Sequence, residues 1–182
     1  MPFWPSTSYR PFLEQVFGTK RPDVEKGLVF VIMSFQGEGM SNVYSVIQKQ
    51  CQLLGLNAKR ADEITGSDFV MKEIDISIRK AEYIICDLTH GRPNVYYELG
   101  YAHGVGNTPM NTLLIARKRT RLHFDVAPLR VHPYNTMENL CDILTANLTV
   151  MIRETRGVST ELPISHLDKE NQQGKSESEQ IF

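Results

Sequence analysis

The chain has 182 residues, room for one domain with a sizeable core plus tails. Its 20 basic and 21 acidic side chains leave a net charge of −1, without the basic surplus of a dedicated nucleic-acid or anionic-membrane binder. No apolar run approaches the roughly 20 residues of a membrane span, no charged-then-apolar leader opens the chain, and Cys51, Cys86 and Cys141 lie far apart in apolar patterns. Such cysteines read as buried small hydrophobes in a reducing compartment, so the expected location is cytoplasmic.

Residues 1–27 form an arm holding Phe3, Trp4, Tyr9, Phe12 and Phe17, in which Phe12, Leu13, Val16 and Phe17 can line one face of a short helix stopped by Gly18. So many aromatics left in water would be a liability, so the arm is expected to dock on its own domain or on a partner. Residues 28–155 form the core. The run 28–33 is continuously apolar, the mark of a strand buried on both faces. Val43, Ile47, Cys51 and Leu54 follow at helical spacing before Gly55, and a weaker strand spans 56–61. Ser67 can cap a helix with Met71, Ile74, Ile78 and Ala81 on its inner face. A third strand covers 83–88, a third helix 94–105, a fourth strand 112–116 and a short fifth 131–134, and Leu140, Leu144, Leu148 and Met151 mark a last helix. Residues 156–182 lose apolar periodicity, turn Ser/Glu/Gln/Lys-rich and read as a polar tail. Alternating strands and helices with short connections predict an α/β fold, a flavodoxin-like three-layer sandwich around a five-stranded, mostly parallel sheet.

In such folds ligands sit beyond the carboxyl ends of the strands. That edge collects Ser34 and Phe35 after the first strand, Arg60 and Asp62 after the second, Asp87, Thr89 and Asn94 after the third, and the basic run 117–121 after the fourth. Glu98 lies one helical turn into a segment otherwise built of Tyr, Leu, Gly and Ala, where a carboxylate is costly unless paired or used. Each residue also has a structural reading: Glu98 as a charge near a helix N-terminus, Asp87 as a loop cap, Asn94 as a helix cap, a hydroxyl contact or both, and Phe35 as a core plug. Tyr96 and Tyr97 point about 100° apart, so only one of them can face the site; Tyr97 is taken here.

The chain lacks the G-x-G-x-x-G and Walker spacings, the G-x-S-x-G elbow and H-E-x-x-H, and His90, His103, His123, His132 and His166 show no ligand spacing, so no metal is expected. The segments Val31-Ile32-Met33-Ser34-Phe35, Arg60-Ala61-Asp62-Glu63-Ile64, Ile85-Cys86-Asp87-Leu88-Thr89, Pro93-Asn94-Val95-Tyr96-Tyr97-Glu98-Leu99-Gly100 and Phe124-Asp125-Val126 resemble the nucleoside 2-deoxyribosyltransferase-like group, which is akin to TIR domains. The resemblance covers roughly residues 28–135, and its specific part runs from Asp87 to Gly100. It implies cleavage or transfer at an N-glycosidic bond, with Glu98 attacking or stabilising C1′ of a ribose. Members exchange bases, hydrolyse nucleotides or cleave NAD, some in antiviral defence or signalling.

Glycosidic chemistry of this kind passes through an oxocarbenium-like state that one carboxylate stabilises or captures. With Glu98 in that role, Asp87 would orient hydroxyls or base, Asn94 would bond a hydroxyl, Phe35 would stack on the base, Asp62 would hold a second ribose or act in proton transfer, and Arg60 and Ser34 would contact the substrate. The basic run favours phosphorylated ligands, with NAD a substrate rather than a cofactor. Transferases of this group complete their site with a residue near a neighbouring subunit's C-terminus, and the polar tail offers no counterpart. The reading expects a nucleotide or nucleoside ligand and a homo-oligomer, with a non-catalytic nucleotide-sensing or assembly module as the alternative.

Overall fold

An apolar run without alternation needs cover on both sides, and residues 28–33 have it: none is more than 4 % exposed. All but Met33 lie in β1 (Glu25–Ile32), which starts ahead of the apolar run because Glu25 pairs with Ala81 of the neighbouring strand. The computed structural model describes residues 23–63 and 70–157. The expectations for the aromatic arm before residue 23, the Ser67 cap and the tail beyond 157 fall outside the described residues.

After β1 the chain forms α1 (Met40–Leu53), β2 (Asn57–Arg60), a 3-10 turn (Ala61–Glu63), α2 (Val70–Lys80), β3 (Ala81–Asp87), α3 (Pro93–Gly104), β4 (Thr112–Arg117), β5 (Val131–Tyr134) and α4 (Met137–Arg156). The five strands are all parallel, in the order β2-β1-β3-β4-β5. This is the expected flavodoxin-like sheet. Strand alternation divides the core. Val29, Val31, Tyr83, Ile85, Leu113 and Ile115 pack with α1 and α4, while Phe30, Ile32, Ile84, Cys86, Leu114 and Ala116 face α2 and α3. Thr136 caps α4 by accepting from the Asn139 N–H at 3.2 Å, and Gly157 ends it at φ 63°.

Two expectations about α2 change. Ile74 and Ile78 are its buried stripe, but Met71, in the opening turn, is 55 % exposed. Ala81 is buried as the first residue of β3, because the helix ends at Lys80. Cys51 and Cys86 are buried as expected, whereas Cys141 is half-buried, and all three are free thiols. Burial alone pushes the Cys51 thiol up to about 12. No helix among the described residues is long and apolar enough to cross a membrane.

Strand order reverses at β1, which has β2 on one side and β3 on the other. The crevice beyond the carboxyl ends of β1 and β3 is therefore the place the fold reserves for a ligand.

Candidate functional site at the carboxyl edge

α3 lays Val95, Glu98, Leu99 and Ala102 against the sheet, and Glu98 is 7 % exposed. Pro93 opens the helix behind Arg92, which takes the cap position without a side-chain cap bond. Asn94 is thereby displaced from the cap into the first turn, and it hydrogen-bonds to Glu98 one turn later. Burial pushes the Glu98 carboxyl up to about 7, only partly opposed by Asn94, and no described cation offsets it. Its charge in turn helps to raise the Cys86 thiol, behind burial and Asp87, which places the carboxyl near the end of β3.

Asp87, the last residue of β3, is 2 % exposed and fully engaged. Its Oδ1 accepts the Thr89 N–H at 2.8 Å, and its Oδ2 accepts the Tyr134 hydroxyl at 2.8 Å. Tyr134 spends its proton on Asp87, so Thr89 Oγ1 donates to it at 3.2 Å and itself accepts the Arg117 N–H at 3.0 Å. This relay ties the ends of β3, β4 and β5 together. Burial raises the Asp87 carboxyl despite the opposing bonds from Thr89 and Tyr134 and the Arg117 charge. Tyr134 is raised too, by burial and by Asp87.

The loop after β1 forms the facing rim. Ser34 is buried and closes a small turn, its Oγ donating to the Gln36 carbonyl at 2.6 Å. Gly37, at φ 128°, has the His90 imidazole where a side chain would go, with Nε2 2.3 Å from the site of a Cβ. The positive φ favours glycine there, and the His90 ring brings the β1 and β3 loops together across the switch point. Arg117 Nη2 donates to the Glu38 carbonyl at 2.7 Å. Phe35 stays 45 % exposed, with the Arg60 guanidinium 5.4 Å from its ring centre. That guanidinium also lies 4.2 Å from the Tyr44 ring centre and binds Asp62 through two bonds of 2.6 and 2.5 Å. Glu63 completes the corner by accepting Tyr44 and Gln48.

Glu98, Asp87 and Asn94 are thus gathered at the ends of β3 and α3, with Ser34, Phe35, Arg60 and Asp62 on the β1–β2 side. Tyr97 is not gathered with them: it stands 61 % exposed, one residue off the buried face of α3. Its neighbour Tyr96 packs edge-on against His123 at 4.8 Å, with its hydroxyl buried and unpartnered. The basic run is divided, since Arg117 is engaged by the β1 loop while Lys118, Arg119 and Arg121 are exposed. Sequence reasoning placed Glu63 after the second strand but missed Tyr134 and Tyr44. Tyr134 carried a usable signal, a tyrosine as the last residue of a strand that ends on the ligand edge.

Two cavities, of about 720 and 510 Å³, lie elsewhere, along α3, the start of β4 and α4. Glu98 and Asp87 line neither of them. No cluster of three or more His, Cys, Asp or Glu among the described residues is placed to hold a metal ion. A scan against protein-family models finds no match to the chain, and no curated protein is detectably similar to it.

Proposed function

We propose that the carboxyl edge binds a nucleotide-type ligand, such as NAD, a nucleoside or a nucleoside monophosphate, and that Glu98 acts at the ribose C1′. The observation that carries this reading is a glutamate 7 % exposed, at the topological switch point, without a compensating cation among the described residues and raised to about 7. A structural glutamate so buried would have a partner that repays its desolvation. Among the described residues this one has a single amide, Asn94, and no cation.

In the proposed step the C1′–N bond breaks and its electron pair leaves with the base. Positive charge develops at C1′, where Glu98 either stabilises it or forms an ester that is later displaced. Water, or the nitrogen of a second base, then makes the new bond to C1′. Phe35 offers an exposed ring for the base, and the Arg60–Asp62 pair forms the rim beyond it. Asp87 enters as a positioning residue, because both of its oxygens are already taken. The motif resemblance between Asp87 and Gly100 supports the same chemistry, and a defence or signalling setting and a homo-oligomer belong to the proposal.

The test incubates wild type and Glu98→Gln separately with NAD, deoxynucleosides and nucleoside monophosphates, and resolves products by liquid chromatography and mass spectrometry. Free base or nicotinamide from wild type alone is the expected result. Saturable binding with the ligand recovered intact would replace catalysis with sensing, and neither turnover nor binding would remove the reading.

A further inference from the structure

We infer that His90 is the general acid of the same site, the group that hands a proton to the departing base. The inference rests on the reading of Glu98 given above and adds the residue that the base side of the reaction needs. Breaking a C1′–N bond leaves the electron pair on the base, and an ordinary purine or pyrimidine departs as an anion unless a proton meets it. The carboxyl edge has few groups left to supply one. Both Asp62 oxygens are taken by the Arg60 guanidinium. Both Asp87 oxygens are taken by Thr89 and Tyr134, and Tyr134 spends its proton on Asp87. Glu63 accepts the Tyr44 hydroxyl and the Gln48 amide. His123 packs against Tyr96, and His103 and His132 line the cavities away from this edge.

His90 remains. It lies three residues past Asp87, in the loop between β3 and α3, and it is exposed. No hydrogen bond or ion pair engages it among the described residues. Its Nε2 edge rests on Gly37 of the loop after β1, where the absent side chain leaves room for the ring, and Nδ1 is the ring nitrogen farther from that contact. Phe35, the exposed ring proposed for the base, stands two residues before Gly37. His90 therefore leans on the loop that offers the base its platform, while Glu98 comes from α3. An imidazole gains and loses a proton near neutral pH, which the Asn94 amide and the Ser34 hydroxyl do not. In the inferred step the imidazolium Nδ1–H proton passes to the base as the C1′–N bond breaks. The water or second base that then bonds to C1′ returns a proton to Nδ1, so no further co-reactant is needed.

The test varies the leaving base. Full-length wild type, His90→Ala and Glu98→Gln are given the common nucleoside monophosphates, whose bases need a proton to leave neutral. They are also given 7-methylguanosine monophosphate and NAD, whose bases leave neutral without one. Base release is followed in single turnovers, with and without added imidazole. His90→Ala is expected to slow release of the ordinary bases about 100-fold and to leave 7-methylguanine and nicotinamide within about threefold, and added imidazole should recover part of the loss. Because His90 is exposed, its replacement leaves the core intact. Equal slowing for both kinds of base would make His90 a shaper of the crevice mouth and overturn the inference. So would no slowing at all, or a wild type that releases only the bases that leave neutral. If wild type releases only ordinary bases, imidazole decides: recovery supports the proton transfer, and a loss that imidazole does not touch overturns it. Glu98→Gln separates the two levels of failure. If it abolishes release while His90→Ala changes nothing, the general acid alone falls; if it changes nothing, the reading of Glu98 falls and takes this inference with it.

Discussion

Glu82 and Glu98 are two poorly exposed glutamates on the same layered fold, and they meet opposite fates. Glu82 sits at the amino end of the sheet, its side chain 12 % exposed and held by two Arg156 bonds, the Gly27 N–H and the Tyr83 hydroxyl. Burial pushes its carboxyl up, but these partners outweigh burial and bring it below the ordinary value. Glu98 sits towards the carboxyl end with one amide, and burial wins. Desolvation acts on both and the partner set decides the sign. Glu82 has spent its charge on joining β1, β3 and α4, while Glu98 still has its charge to use.

The sharpest way to break this comparison is to remove each charge. Glu98→Gln is expected to lower turnover of the preferred nucleotide by about 1,000-fold or more, with ligand affinity within a few-fold; single-turnover kinetics beside a binding isotherm would measure both. Equal turnover in the two proteins would make Glu98 a structural residue. The same variant has a pH signature. A carboxyl raised from 4.5 to about 7 binds its proton more tightly in the folded state, so it favours folding below 4.5 and loses that contribution as pH climbs towards 7. Relative to Glu98→Gln, wild type should lose at most about 3 kcal/mol over that window. Urea unfolding of both proteins at several pH values would read this, and a gap that does not widen with pH would remove the raised carboxyl. Glu82 has the opposite sign, contributing above its ordinary pKa and losing that contribution as pH falls. Arg156→Ala, which strands Glu82, should cost about 2–3 kcal/mol at neutral pH, the pair being only partly buried. A cost near zero would mean that Glu82 is no better compensated than Glu98.

The fold was readable because burial patterns are local. The unbroken run at 28–33 could only be a central strand, and Ile74 and Ile78 could only be a helix stripe. The composition of the carboxyl edge was readable too, since a parallel sheet puts every strand's carboxyl end on one side and so groups Ser34, Asp87 and Glu98 without knowledge of side-chain packing. Pairing between distant segments was hidden. Nothing local says that the Arg60 guanidinium lies against the Tyr44 ring, that Arg117 crosses to the Glu38 carbonyl, or that Glu82 meets Arg156 across 74 residues. The orientation of the Tyr96–Tyr97 pair was hidden for a related reason: adjacent tyrosines on a helix point to different sides, and which one is covered depends on the segment that packs on the helix. Here that segment carries His123, and it takes Tyr96.

Tyr134 tests whether the carboxyl edge is held for chemistry or only for architecture. The side chain is 1 % exposed, and Tyr134→Phe keeps its ring while deleting the bonds to Asp87 and Thr89. The stability cost should be about 1 kcal/mol, the ordinary worth of a buried hydrogen bond. Asp87 would lose one of the groups that hold its carboxyl down, so its pKa should climb further. If Asp87 positions the edge for Glu98, turnover should fall about tenfold and the acid limb of its pH profile should move to higher pH, with KM nearly constant. If stability alone changes while turnover and the pH profile do not, Asp87 belongs with Glu82, as a carboxylate wholly consumed by joining strands, and the working part of this edge narrows to Glu98 and Asn94.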